Sequence, residues 1–247
     1  MWEDFLLYVT VGLVAQMVDG AVGMAYGVTS SSVLLSFGMP PATASACVHA
    51  SETFTTAASG AAHWKLGNVD KKLIARLAVP GMIGGALGAY VLSNISGDTI
   101  KPIITIYLLL MGVYIVWKAL QPPPVMHEPP RHVEPLGFVG GFVDSIGGGG
   151  WGPIVTSALI GQGTTPRYAI GTVNLAEFFV TLTVTLTFLF TIGLELWPII
   201  AGLVLGGILA APFAALVTKH LPDKPLMIIV GCVIVLLSLR TLLVALH

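Results

Sequence analysis

Val143–Gly152 reads VDSIGGGGWG, and Val18–Gly27 reads VDGAVGMAYG. Each stretch sets an aspartate and several glycines into otherwise apolar sequence. Glycine permits tight reversal and close backbone approach, so each reads as a break in an apolar helix. The two breaks lie 125 positions apart, as Asp19 and Asp144 show. The same shift carries Gly12 onto Gly137, Gly23 onto Gly148, Gly27 onto Gly152, Ser32 onto Ser157 and Gly38 onto Gly163. It also carries Pro41 onto Pro166, Ala44 onto Ala169, Glu52 onto Glu177 and Gly81 onto Gly206. The matches include acids in apolar surroundings, glycines and a proline, which chance agreement among leucines and valines would not produce. The chain reads as an internal duplication.

Composition says which solvent the two copies meet. Of 247 residues, 55% are hydrophobic and 9% charged, and mean hydropathy is +0.90. A soluble domain carries about 25% charged residues, so this chain could not cover a water-facing surface. A bilayer suits it. The net charge of −1 implies no nucleic-acid partner. The two cysteines, Cys47 and Cys232, sit in apolar runs and suggest no disulfide framework. The start, MWEDFLLYV, has Glu3 and Asp4 where a signal peptide would carry Lys or Arg, so its apolar run is expected to stay in the mature protein.

Apolar stretches run over Phe5–Val18, Val22–Phe37, Ala42–Trp64, Leu73–Leu92 and Ile100–Leu120. A spanning helix needs about 20 apolar residues. The last three qualify, and the first two are short, broken at Asp19-Gly20 and Gly23. Gln121–Pro135, QPPPVMHEPPRHVEP, is too rich in proline for a helix in lipid and reads as a cytoplasmic linker. The expected organisation is a first transmembrane repeat over 1–120, the linker over 121–135 and a second repeat over 136–247.

Basic residues favour cytoplasmic loops. Lys65, Lys71, Lys72 and Arg76 follow the third stretch, whereas the matching loop of the second copy, around Gly193–Trp197, carries only Glu195. The second copy instead places Arg167, Lys219 and Lys224 in other loops. The bias switches sides. The fold expected is therefore all-α and polytopic: two inverted repeats, each a broken or re-entrant helix pair plus three spanning helices, with both termini outside. Trp64, Trp117 and Trp197 fall near span ends, as interface anchors do.

Inverted repeats with broken helices are typical of transporters, whose site lies near the midplane where the breaks meet. A helix restarting after a break offers free N–H groups and a positive dipole end, and two such ends make an anion site. The glycines of Gly147–Gly150 would also serve close helix packing, so both readings stay open. Asp19 and Asp144 could cap the restarted helices or carry a coupling proton. Ser45, His49, Glu52, Thr56, Ser59 and His63 recur at intervals of four or three and share one helix face. Asn174, Glu177, Thr181 and Thr185 form the corresponding stripe. Glu52, Glu177 and His49 are candidate proton carriers, with interhelix hydrogen bonding as the alternative. Hydroxyls of Thr29–Ser32, Thr156 and Ser157 could donate to an oxyanion or bond back to helix carbonyls. Cys47 could touch a sulfur-containing substrate or be a buried small hydrophobe.

Two motif groups, GFVGGFVDSIGGGGWGPI with AIGTVNLAE (Ala169–Glu177), and GLVAQMVDGAVGMAYGVTSSSVLL with HWKLGNVDKK (His63–Lys72), resemble the sulfite exporter TauE/SafE family of membrane permeases. The resemblance covers nearly the whole chain. It departs at Gly20–Gly23, which lacks a full glycine cluster, and at ACVHASE (Ala46–Glu52). It implies export of sulfite or small organosulfonate anions by a multi-pass protein of the inner cell membrane, with no cofactor, no metal and no enzymatic step. A passive anion channel and an uptake permease for a sulfur compound are the alternatives. The candidate substrate contacts are Gly23, Ser30, Ser31, Cys47, Gly147, Gly148, Gly149, Gly150, Trp151 and Asn174. The expected partners are a small anion, the bilayer and protons as coupling ion, with oligomeric state left open. No Walker motif or H-E-x-x-H is present.

Overall fold

The computed structural model describes residues 4–22, 25–121, 131–194, 196–217 and 223–246. Gly23, Glu195, Lys219 and most of the proline-rich linker lie outside the described residues. Helices are α1 (Phe5–Val22), α2 (Tyr26–Ser36), α3 (Pro41–Lys65), α4 (Lys71–Ser93), α5 (Gly97–Ala119) and α6 (Val133–Gly147). A π-helical turn, Gly152–Thr156, then leads into α7 (Ser157–Gly161), followed by α8 (Pro166–Thr191), α9 (Trp197–Val217) and α10 (Asp223–Leu246). The 125-residue shift maps these bounds onto one another: α3 and α8 start on equivalent prolines, Pro41 and Pro166. A proline in the first turn loses no hydrogen bond and arrives with its φ already helical.

Two boundaries differ from the sequence reading. Helix α1 continues through Asp19 and Gly20 to Val22, so the break falls after the aspartate rather than at it. Helix α6 begins at Val133, inside the stretch read as linker, because Pro135 sits in the first turn, where its missing N–H costs nothing.

Among the described residues, four helices are long and apolar enough to cross a membrane: α4, α5, most of α8 and the central part of α10. Helix α3, expected to join them, has 25 residues and so the length to span at about 1.5 Å per residue. Its stripe of Ser, Thr, His and Glu is what takes it out of the apolar set. That stripe is buried: Ser45, His49, Ser51, Glu52, Thr55 and Thr56 all lie inside. Large apolar side chains instead face outward, among them Ile83, Leu110, Leu236 and Phe190. Polar groups inside and apolar groups outside suit a surface solvated by lipid.

The most extensive helix pairings join one half to the other: α1 with α9, α4 with α6, α3 with α8 and α5 with α10. Small residues let these backbones approach. Gly81 meets Gly141, and Gly88 meets Ser145, so α4 and α6 run parallel. Helices α3 and α8 run antiparallel. Thr53 Oγ1 lies 3.3 Å from Thr185 Oγ1, while later in α3 Ser59 Oγ donates to Asn174 Oδ1, earlier in α8, at 3.0 Å. Helices α5 and α10 are likewise antiparallel, with Gly112 against Gly231 and Ile234 and Lys101 beside Thr241.

Candidate functional site

Both breaks come to one place. Ala25–Val28 at the start of α2, and Gly150, Gly152 and Pro153 at the start of the π-turn, line one enclosed cavity. Asp19 of α1, Glu52 of α3, Asp144 of α6 and Glu177 of α8 complete its wall. The cavity measures about 10 Å³, room for one water. The glycines make the convergence sterically attainable. Gly148, Gly149 and Gly150 have φ of 69°, 153° and 152°, values that side-chain-bearing residues rarely adopt. A methyl group on Gly149 would overlap the backbone of Gly27 and Val28, and one on Gly150 would strike the Tyr107 hydroxyl. The two breaks therefore interlock through bare backbone.

Each aspartate reaches forward across its own break. Asp19 Oδ1 accepts from the N–H of Ala25 at 2.9 Å and of Tyr26 at 3.4 Å. Asp144 Oδ1 accepts from the N–H of Trp151 at 2.9 Å. A carboxylate near a helix N-terminus satisfies free donors and meets the positive dipole end. Three donors that could have held a foreign anion thus hold the protein's own acids. The equivalent aromatics Tyr26 and Trp151, both buried, then anchor each restart to the opposite half. Tyr26 Oη donates to the Leu203 carbonyl at 3.1 Å. Trp151 packs over Gly81 and donates from Nε1 to the Val173 carbonyl at 3.3 Å.

The halves differ at His49. His49 Nδ1 lies 2.8 Å from the Ser45 carbonyl, which can only accept, so Nδ1 carries a proton. His49 Nε2 lies 3.0 Å from Asp144 Oδ2, and that contact requires one further proton between the two atoms. Shifting His49 by the repeat gives Asn174, which accepts from Ser59 and donates to the Ile170 carbonyl at 3.1 Å. Glu52 is 3% exposed; its Oε1 faces Gly27, and its Oε2 has no hydrogen-bond partner among the described residues.

The sequence-predicted residues sort into three groups. Asp19, Asp144, Glu52, Glu177 and Gly150 line the cavity. His49, Trp151, Gly147, Gly148, Gly149 and Ser31 pack immediately behind it; Ser31 Oγ donates to the Gly148 carbonyl, and Gly147 abuts the Tyr107 ring. Ser30 is buried, and its hydroxyl has no partner among the described residues, whereas Asn174 is engaged with Ser59. Cys47 lines a separate cavity of about 230 Å³ with Thr43, Ala46, Ile192, Gly193, Leu194 and Leu196. Gly23 lies outside the described residues. Sequence reasoning missed Tyr107, whose hydroxyl donates to the Gly149 carbonyl at 2.7 Å. A tyrosine in mid-span was the available signal, since its hydroxyl needs a partner there.

Among known proteins, the family described as "Sulfite exporter TauE/SafE" matches residues 8–241. The "Probable membrane transporter protein YtnM" of Bacillus subtilis (strain 168) is 44% identical over 251 residues, covering 97% of this chain and 83% of that protein. No solved structure matches. Matched from within α1 to within α10, with both breaks included, the chain belongs to the sulfite exporter TauE/SafE family.

Proposed function

We propose that this membrane transporter exports a small sulfur oxyanion such as sulfite, or an organosulfonate, by alternating access about the central cavity. The observation that carries this reading is the meeting of two broken helix pairs, one from each half, at a single carboxyl-lined cavity. Inverted repeats fit the helix directions. A two-fold axis that exchanges antiparallel α3 and α8 must run perpendicular to both helices, and hence in the membrane plane when they span. With the α3–α4 loop inside, the α1–α2 pair re-enters from outside and the α6–α7 pair from inside. Nine of the 11 Lys and Arg residues then face the cytoplasm, and Lys101 and Arg240 lie outside, as charge bias favours. The site is the inner cell membrane in this reading, and protons are the coupling ion.

The sulfur substrate in this reading rests on the family. The enclosed, water-sized cavity favours a carrier over an open pore. Purified protein should bind sulfite, thiosulfate or a small sulfonate in a thermal-shift screen and carry it into proteoliposomes with saturable kinetics. Binding of an unrelated solute and none of these would reject the substrate. A non-saturating flux would favour the channel, and accumulation in cells would favour uptake over export.

A further inference from the structure

We propose that the central cavity takes its anion and protons together, so that both move in the same direction: symport, not exchange. The inference rests on the anionic substrate proposed above and adds the sense of its coupling.

Every element around the cavity presents an acid or a neutral group. Asp19 comes from α1, Tyr26 from α2, Glu52 from α3, Asp144 from α6 and Glu177 from α8. His49 is turned to Asp144, and Tyr107 of α5 to the Gly149 carbonyl. Among the described residues, no Lys or Arg is in the wall; Lys118, on α5, is bonded to Ser157. At the two restarts the N–H groups of Ala25, Tyr26 and Trp151 are taken by Asp19 and Asp144. Among the described residues, Glu52 Oε2, buried beside the cavity, has no hydrogen-bond partner, which leaves this acid group with unused hydrogen-bonding capacity.

An anion arriving here meets like charge, and donors partly taken by the protein's own acids. Proton uptake by the acids removes both obstacles: a protonated carboxyl no longer repels the anion, and its O–H can donate to it. Anion binding must by linkage raise proton binding by the same factor. Exchange would require the opposite, the anion expelling protons from a cluster of acids, which Coulomb's law opposes. The step balances simply. On one face a proton from water forms an O–H bond to a cavity carboxylate as the anion binds; on the other that bond breaks, and proton and anion return to water. Export then follows the anion's own gradient and carries protons outward with it.

The test uses the wild-type chain in proteoliposomes with an entrapped pH dye, the voltage clamped by potassium and valinomycin. Ethanesulfonate, which stays ionised across the working pH range, is the probe, and its flux is followed separately with a radiolabel. The expected result is lumenal acidification that tracks ethanesulfonate influx. In Glu52→Gln with Glu177→Gln, that acidification is lost or reduced per anion moved. Alkalinisation, or flux with no pH change, would overturn symport while leaving the anion substrate intact. Absence of flux for ethanesulfonate, thiosulfate and sulfite alike would overturn the substrate reading and symport with it.

Discussion

His49 Nε2 and Asp144 Oδ2 lie 3.0 Å apart, joining α3 of one half to α6 of the other. Asp144 uses its second oxygen for the Trp151 N–H, so one side chain ties a helix restart to a proton-bearing partner. Among the described residues, the duplicated counterpart, Asp19, has only backbone donors; the position equivalent to His49 holds Asn174. A duplication that keeps the cap in both copies but the histidine in one has separated two roles that the sequence left joined.

Asp144→Asn tests that separation. The amide oxygen can still accept from Trp151 N–H, and its NH₂ can donate to His49 Nε2, so no buried group is orphaned. The cost should stay near 1 kcal/mol, a thermal shift of about 2–4 °C for a chain of this size. Transport should lose its pH dependence. Asp144→Leu removes the cap as well and should melt markedly lower. A pH dependence retained in folded Asp144→Asn would make the carboxylate a cap alone.

His49→Leu removes both ring nitrogens and leaves a buried Asp144 oxygen without its partner. Orphaning such a group costs about 1–3 kcal/mol, more if the group is charged. Asn174→Leu removes only neutral contacts to Ser59 and Ile170 and should cost less. Paired melting curves of the two variants in one detergent would check the order, and a reversed order would remove His49 from the centre of the network.

Gly149→Ala should be the most damaging single methyl. It adds bulk against Gly27 and Val28 at φ 153°, where neither backbone can retreat without opening the cavity wall. Overpacking of this kind costs about 1–3 kcal/mol before the backbone penalty is added. Loss of monodisperse protein on size exclusion is the expected readout. Gly161→Ala, with nothing within 4 Å of the added carbon, is the matched control.

The duplication was legible because the residues carrying it, such as Asp19, Glu52 and Pro41, are rare in apolar sequence. The stripe on α3 was legible as a face through its spacing, although its polar content kept α3 out of the clearly apolar helices. Pair identities were not legible. Nothing in the spacing of Asp144 and His49 brings α6 onto α3, and Cys47 shares a helix with Glu52 yet lines a different cavity. Helix periodicity fixes which residues share a face; which helix that face meets is decided by packing across the halves, here through glycines whose partners no local pattern names.

The two ends of the molecule are packed differently, although their sequences are similar. At the start of α8 the α3–α4 loop is shut down: the Asp70 N–H donates to Thr172 Oγ1 at 2.8 Å, and the Asn68 carbonyl presses on Gly171. The equivalent positions at the start of α3 are Ala46 and Cys47, and there a cavity of about 230 Å³ stands between α3 and the stretch joining α8 to α9. Alternating access by inverted repeats predicts that these two arrangements exchange. Thr172→Val deletes the latch at a cost of about 1 kcal/mol, enough to shift a two-state population roughly fivefold. In a background of Cys47→Ser and Cys232→Ser, Asn68→Cys should then react faster with a thiol reagent, and Thr43→Cys more slowly, than with Thr172 intact. Reciprocal change at the two ends is the signature; acceleration at Asn68→Cys alone would mean only a loosened loop.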